Sequence, residues 1–411
     1  MKVLALVLAG GRVDELLCLT EQRPKSALPV FATYRIIDFV LSNLMHAGIR
    51  NVGVLSQYRP YALVRHLGTG EHWDFVGRNR GIRLLPPYRG LKASDWYKGT
   101  ADAVYQNTSY IETFKPEHVL IASADHIYRM DYRPLINFHL EKDADATVSF
   151  TRRKSRSSRF GYGVIDTRGR LQDYQERPDT PPSDWVSMTL YLFKTEFLID
   201  MLKANAEEHS HEFGKDIITR CVAKYRIFGY RHRGYWAYAR TIDSYYNTNM
   251  DLVRGKIALE DWQIRTNLLE RCTQADRPPA YVNGKISNSI ISEGCIIEGT
   301  VAKSLLSPGV TVAPGARVTN SIVFHDSSIG PGSKIDKTIC DKDTSIGRGC
   351  IIGGSPSSVA SLEFGDLLSS GITILGKNLT IPDNTTIGEN TAIYSSAKFS
   401  SIRIDAGSTL R

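Results

Sequence analysis

Leu306-Ser307-Pro308-Gly309-Val310-Thr311-Val312-Ala313-Pro314-Gly315-Ala316-Arg317-Val318 is the stretch that decides how the last third of this chain folds. Leu306, Val312 and Val318 recur every six positions among glycine, proline and small polar residues. The spacing returns in Val323, Ile329 and Ile335, then in Cys340, Ile346 and Ile352. After an interruption at Pro356 it returns once more in Leu375, Ile381, Ile387 and Ile393. A strict six-residue period is the signature of a hexapeptide β-helix, whose triangular coils need one inward aliphatic per side. Helical signals vanish from about Ile286 onward. A solenoid stacks neighbours and leaves open ends, so oligomerisation or support is the expected role, with a second ligand site the lesser option.

Upstream the pattern alternates. Residues 2–8, 51–55, 118–122 and 147–151 read as short buried strands. Phe39, Leu41, Leu44 and Met45 recur at helical spacing before Gly48, a helix stop, and residues 132–142 read as a further helix. Strand–helix alternation predicts a parallel α/β sheet, in which ligands sit beyond the carboxyl ends of the strands. The loops after Leu8 and after Ala122 are therefore the first candidates for chemistry.

Composition sets the outer bounds. With 411 residues, two domains are expected. The chain is 42% hydrophobic and 23% charged, the balance of a globular protein. No apolar run reaches the roughly 18 residues of a membrane span. The apolar start, Met1 to Leu8, is too short for a signal sequence, and Gly10-Gly11 stands where a cleavage site would be. The six cysteines are scattered without a CxxC pair, which argues against zinc or a disulfide framework and fits a reducing cytoplasm. The formal charge of +8 favours anions such as nucleotides and sugar phosphates, and no Lys/Arg block suggests a nucleic-acid arm. Neither a membrane nor a nucleic-acid partner is expected.

Four segments carry a family resemblance. They are Tyr34-Arg35-Ile36-Ile37-Asp38-Phe39-Val40-Leu41-Ser42-Asn43, Trp96-Tyr97-Lys98-Gly99-Thr100-Ala101-Asp102-Ala103-Val104-Tyr105-Gln106-Asn107, Asp125-His126-Ile127-Tyr128, and Phe213-Gly214-Lys215-Asp216-Ile217-Ile218. Together they resemble the bacterial ADP-glucose pyrophosphorylases (glucose-1-phosphate adenylyltransferases). The resemblance implies an α/β fold: a Rossmann-like nucleotidyltransferase domain over residues 1–256, a linker at 257–283, and a left-handed hexapeptide β-helix over 284–411. It implies the reaction ATP + glucose 1-phosphate to ADP-glucose + pyrophosphate. The sugar phosphate attacks the α-phosphate in line, and the protein positions two anions and neutralises charge with Mg²⁺ and cationic side chains.

The residues carried over are these. Gly10 and Gly11 follow the first strand, where glycine lets backbone N–H groups approach a phosphate or base. Lys25 lies in a stretch similar to the family's RxKPA and is expected near the triphosphate or an activator. Tyr97, Gly99, Thr100 and Gln106 are expected on the nucleotide, with Gly99 to Asp102 opening a helix whose N-terminal dipole suits adenine or ribose. Asp125 at a strand end is expected to hold Mg²⁺. Glu176 and Arg177 match the family's EKP with Arg for Lys, Gly161 follows Phe160 as in its FG, and Ser187 matches a glucose contact. Lys215 and Asp216 are expected at the sugar-phosphate pocket. For each, a bland role as cap, turn or solvated side chain is the competing reading.

Three departures touch one step. The family's GGxGTRL loop here has Val13 for its third glycine, Asp14 beside it, and Glu15 for its arginine. The metal aspartate of WRDVGT is Tyr238 here, a poor ligand for a hard dication. Thr189 also replaces a glycine. At an effective dielectric of about 20, one like-charge contact near 4 Å costs roughly 4 kcal/mol, with Arg12 compensating only in part. Three readings follow. One is a regulatory or weakly catalytic subunit in a homo- or hetero-tetramer with a catalytic paralogue. The second is a fully active adenylyltransferase, and the third a non-enzymatic sugar-phosphate-binding protein.

Overall fold

A computed structural model describes residues 2–11, 13–88, 96–153, 157–268, 277–354 and 359–411. Arg12, Pro356 and part of the expected linker lie outside the described residues. The chain divides into two compact units. The first comprises Met1–Gly11 and Ile37–Trp236, the second Arg12–Ile36 and Ala237–Arg411.

The first unit is built on a nine-stranded sheet. Its strands are β1 (Val3–Leu8), β2 (Asn51–Leu55), β3 (Gly81–Leu85), β4 (His118–Ser123), β5 (Ala146–Arg152), β6 (Gly161–Ile165), β7 (Leu171–Glu176), β8 (Trp185–Lys194) and β9 (Ile227–His232). They lie in the order β7-β6-β8-β4-β1-β2-β3, and β5 pairs with both β8 and β9. Strands β4, β1, β2 and β3 are parallel, as expected. The expectation of a parallel sheet fails at β8, which runs antiparallel to β4, β5 and β6, as β7 does to β6. The sheet is mixed. No helix separates β6, β7 and β8 in sequence, and parallel neighbours require a crossover long enough to hold one.

Successive residues of the inner strands face opposite cores. Ala5, Val7, Leu120, Ala122, Leu190 and Leu192 enter one cluster, while Leu4, Leu6, Val119, Ile121, Tyr191 and Phe193 enter the other. Both faces are covered, which is why these strands read as continuous apolar runs. The expected helices span Ile36–His46 and Tyr132–Glu141.

In the second unit, residues from Tyr281 to Leu410 form three parallel sheets of six, seven and seven short strands. The geometry is consistent with the expected left-handed hexapeptide β-helix. Each of the first three quoted series is one coil, and the fourth runs into the next, with Ile393 stacked on Leu375. Leu306, Val312 and Val318 lie on three different sheets, and Val323, Ile329 and Ile335 lie directly above them in register. All six side chains are buried.

Segment 13–36 belongs to this second unit, and its contacts show why. Arg23 pairs with Asp341, Ser307 Oγ donates to the Ala32 carbonyl at 2.7 Å, and the Phe31 N–H donates to Asn249 Oδ1 at 2.9 Å. Asn249 lies on the helix Ile242–Val253, whose start is fixed by a Thr241–Ser244 capping box. Tyr245 on the same helix donates its hydroxyl to the Pro29 carbonyl.

Candidate active site

Two parts of the expected site lie within the first unit. At the carboxyl ends of β1 and β4, parallel register sets Leu8 beside Ser123 and the Ala124 N–H donates to the Leu8 carbonyl at 2.9 Å. This places Gly10-Gly11 and Asp125 on neighbouring strand ends. The two glycines differ. A Cβ on Gly10 would press on Gln57 N and Ser56 Cα at 3.0 Å, so close backbone packing favours glycine there. A Cβ on Gly11 would meet nothing within 4 Å. Packing does not explain Gly11, and it remains the better candidate for close approach of a ligand. Asp125 is half-buried, and its own N–H donates to Ser123 Oγ at 3.2 Å.

The sugar-phosphate part is a tight constellation. Tyr174 and Glu176 share a face of β7 at strand spacing, and the Tyr174 hydroxyl donates to Glu176 Oε2 at 2.8 Å. A Cβ on Gly161 would stand 2.7 Å from Glu176 Oε2, and one on Gly214 would stand 2.1 Å from it. The two glycines thus hold the carboxylate between their backbones. Burial pushes the Glu176 carboxyl above its usual range. The Tyr174 hydrogen bond and Arg177 oppose that shift, and Glu212 adds to it. Arg177 is exposed, holds a positive φ of 51°, and its Nε lies 3.7 Å from Glu176 Oε1. Ser187 is buried on β8, where the strand bulges before Tyr191, and its Oγ accepts from the Thr189 N–H at 3.3 Å. Thr189 sits in that bulge at φ 47°, a left-handed conformation that favours glycine and strains a β-branched side chain.

Other expected ligand residues have partners within the fold. The Tyr97 ring is 9% exposed, its hydroxyl donates to the Leu85 carbonyl at 2.9 Å, and burial pushes its pKa up to about 12. A Cβ on Gly99 would stand 2.3 Å from the His211 carbonyl oxygen, which also accepts from the Ala101 N–H at 2.8 Å. At the start of the six-residue helix Thr100–Tyr105, one N–H is thus taken by a protein carbonyl. Thr100 Oγ1 donates to Glu212 Oε2 at 2.7 Å and accepts from the Phe213 N–H at 3.0 Å. Gln106 Nε2 donates to Asp102 Oδ2 at 2.8 Å. Asp216 is buried and accepts from the Glu212 N–H at 2.7 Å, closing its own helical turn. Lys215 on the same turn is exposed. Tyr97, Gly99 and Thr100 meet partners distant in sequence, which motif spacing does not reveal, whereas Gln106 and Asp216 bond within four residues of themselves.

The altered positions gather in the second unit. Glu15 is not an uncompensated charge, because Arg240 Nε donates to its Oε1 at 2.8 Å. Arg240 Nη1 also donates to the Tyr238 hydroxyl at 3.0 Å. Burial alone would lower the arginine's pKa, yet Tyr238 and Glu15 together raise it. Lys25 is 1% exposed, with its Nζ 4.1 Å from the centre of the Tyr238 ring. Val13 is buried, and its carbonyl accepts from Thr20 Oγ1 at 2.8 Å. Asp14 opens the helical turn Asp14–Thr20, within which Leu17 is forced to φ 50°. The reading of Glu15 as a bare like charge facing a nucleotide is therefore corrected: its charge is neutralised from within. Arg240 is the residue sequence reasoning passed over, although an arginine gained at 240 where one is lost at 15 was a legible signal.

Among the described residues, no group of three or more His, Cys, Asp or Glu comes together as a metal site. Of the two aspartates that the resemblance implies for Mg²⁺, the sequence keeps Asp125 and has Tyr238 at the other position.

A mixed α/β sheet with glycines and an aspartate at its strand ends, joined in one chain to a hexapeptide helix, defines a nucleotidyltransferase architecture. The nucleotidyl transferase family model matches residues 4–255, and the GlmU-like C-terminal hexapeptide model matches residues 277–374. The chain is 38% identical over 400 residues to a glucose-1-phosphate adenylyltransferase of Fervidobacterium nodosum, covering 95% of both chains. It is 41% identical over 402 residues to that of Thermotoga neapolitana, covering 95% of this chain and 93% of the relative. With that of Acetivibrio thermocellus it shares 37% identity over 433 residues, covering 100% and 97%. The chain belongs to the glucose-1-phosphate adenylyltransferase family. Among the described residues no helix is long and apolar enough to cross a membrane.

Proposed function

We propose that this chain is a regulatory or weakly catalytic member of a glucose-1-phosphate adenylyltransferase assembly, retaining sugar-phosphate recognition and working beside a catalytic homologue. We take residues 1–256 as its nucleotidyltransferase-like domain, 257–283 as linker and 284–411 as the β-helix, whose stacked coils suit assembly into a tetramer. The observation that carries the reading is the Lys25–Tyr238–Arg240–Glu15 cluster. In this family the reaction depends on cations offered to the triphosphate. Here Arg240 is engaged by Glu15 and Tyr238, and Lys25 is covered by the Tyr238 ring.

Freeing Arg240 for a phosphate means breaking a part-buried ion pair and a hydrogen bond, about 1–3 kcal/mol together after solvent screening. That corresponds to roughly 5- to 150-fold in rate or affinity. On the sugar side, Glu176 would accept from glucose hydroxyls, Arg177 and Lys215 would hold the phosphate, and Gly11 would admit a ligand to backbone N–H groups. Mg²⁺ is implied by the resemblance, with Asp125 as the retained carboxylate. With Tyr238 at the second aspartate position, one carboxylate of the pair is lost.

A second reading rests on the same cluster. Arg240 supplies a guanidinium near the one lost at position 15, and an enzyme with relocated charges would be fully active. Turnover of the purified chain with ATP, Mg²⁺ and glucose 1-phosphate decides between them. A rate within the ordinary range of about 1–10³ s⁻¹ overturns the first reading. Otherwise the triple change Glu15→Arg, Tyr238→Asp, Arg240→Gly should raise turnover at least tenfold. Glu15→Arg with Tyr238→Asp alone should not, because the new guanidinium would stand against Arg240.

A further inference from the structure

At the opposite end of the sheet from Gly10-Gly11 and Asp125 lies a cleft of about 550 Å³ that the family reaction does not use. Lys2 immediately precedes β1, Asn51 opens β2 and Gly81 opens β3, and all three line it. Strands of five or six residues rise about 3.3 Å per residue, so roughly 17–20 Å separates this cleft from the carboxyl ends. We propose that the cleft is a binding site for a small phosphorylated molecule carrying two or more negative charges.

Its charge is one-sided. Lys2, Arg78, Arg80 and Arg83 line it, and no carboxylate does among the described residues. Arg80 shares the single carboxylate of Asp74 with Arg50. Arg83 Nη1 donates to the neutral Ile82 carbonyl at 2.9 Å, and Lys2 Nζ rests on the Phe114 carbonyl. Glu117 Oε1 accepts from the backbone N–H of Lys2 at 3.0 Å and is not part of the lining. Cations on neutral carbonyls give up little when they turn to a phosphate, and a concave wall of one sign concentrates its field.

The wall is shaped for those guanidiniums. Gly77 holds φ 151°, and a Cβ there would stand 2.6 Å from Arg80 Nε; one on Gly81 would stand 3.3 Å from Arg83 Nη1. Both arginines lie over bare backbone that a side chain would crowd. The Tyr110 and Phe114 rings, 4.9 Å apart and tilted, form an apolar side against which a sugar or base could lie. Burial pushes the Tyr110 phenol up to about 12 against the pull of Arg83, which sets that charge beside the ring. The volume falls within the roughly 300–1,000 Å³ of small-molecule sites. None of this depends on whether the chain is catalytic.

The test is calorimetric titration of the full chain with inorganic pyrophosphate in metal-free buffer, for wild type and for Arg78→Ser/Arg83→Gln. The number of pyrophosphates bound per chain should fall by one in the double variant, or one site should weaken at least tenfold. Arg83→Lys should keep its affinity within threefold. Inorganic phosphate should bind the same site at least tenfold more weakly than pyrophosphate. Equal stoichiometry and affinity in wild type and double variant, or binding to neither, overturns the proposal. Both changed side chains are exposed. Should the double variant lose its far-ultraviolet dichroism, Arg78→Ser alone is read instead: at least threefold weakening supports the site, and an unchanged isotherm overturns it.

Discussion

Gly214→Ala and Gly11→Ala should behave oppositely, because one glycine is demanded by packing and the other is not. A methyl on Gly214 would overlap Glu176 Oε2 at 2.1 Å and the Tyr174 hydroxyl at 2.9 Å. The carboxylate cannot retreat toward Gly161, whose own Cβ direction is closed by the same Tyr174 hydroxyl, also at 2.1 Å. Glu176 must swing away, which leaves the buried Tyr174 hydroxyl without its acceptor at a cost of about 1–3 kcal/mol. Overpacking adds about 1–3 kcal/mol more. The sum, roughly 2–6 kcal/mol, should lower the melting temperature of the first unit by roughly 5–15 °C. Gly11→Ala meets nothing and should shift stability by less than about 0.5 kcal/mol, while weakening nucleotide binding. Urea and thermal unfolding followed by circular dichroism read the first, and equilibrium titration with ATP reads the second. Because the clash is with Glu176 itself, Gly214→Ala combined with Glu176→Ala should be less damaging than the sum of the two singles. A Gly214→Ala protein as stable as wild type, or strict additivity in that double variant, would refute the assignment of Gly161 and Gly214 as the walls of the Glu176 site.

Two further outcomes follow from strain and burial. Thr189→Gly should stabilise by roughly 1 kcal/mol: it relieves a β-branched residue at φ 47°, less the backbone entropy glycine loses on folding, and a lowered urea midpoint would count against it. Buried His139, hydrogen-bonded to Thr147 at 2.8 Å, has its pKa pushed down to about 3 by burial, then by His118 and Lys194. The unfolded chain, with an ordinary histidine near 6.5, binds the proton first, so this stability is whole above pH 6.5 and is lost as pH falls from there toward 3. Between pH 7 and pH 5 the loss is about 2 kcal/mol, and His139→Gln should remove that part of the slope in urea unfolding.

Much of this protein was legible because much of its structure is local. Every hexad residue from Leu306 to Ile393 needs only its spacing to mark an inward side of a coil, since each coil repeats the same short geometry. The apolar runs at Val3–Leu8 and His118–Ser123 likewise announce strands covered on both faces, and a strand's end is where its loop begins. That was enough to mark Gly11 and Asp125 as candidates just beyond neighbouring strand ends. It does not reveal that the Tyr97 hydroxyl meets the Leu85 carbonyl, that the His211 carbonyl closes the Cβ direction of Gly99, or that Thr100 bonds Glu212.

Side-chain pairing across long sequence separations belongs to the tertiary structure alone. Glu15 and Arg240 stand 225 residues apart in sequence, and only the fold brings the guanidinium within 2.8 Å of the carboxylate. Read from the sequence, Glu15 is a misplaced negative charge; in the folded chain it is half of an ion pair that also orders Tyr238. Composition and periodicity determine which residues are inside and which segments repeat, because burial follows from hydrophobicity and spacing. Which charge meets which partner depends on distances between segments that no local pattern encodes, and Coulomb energy at a few ångströms turns that distance into chemistry.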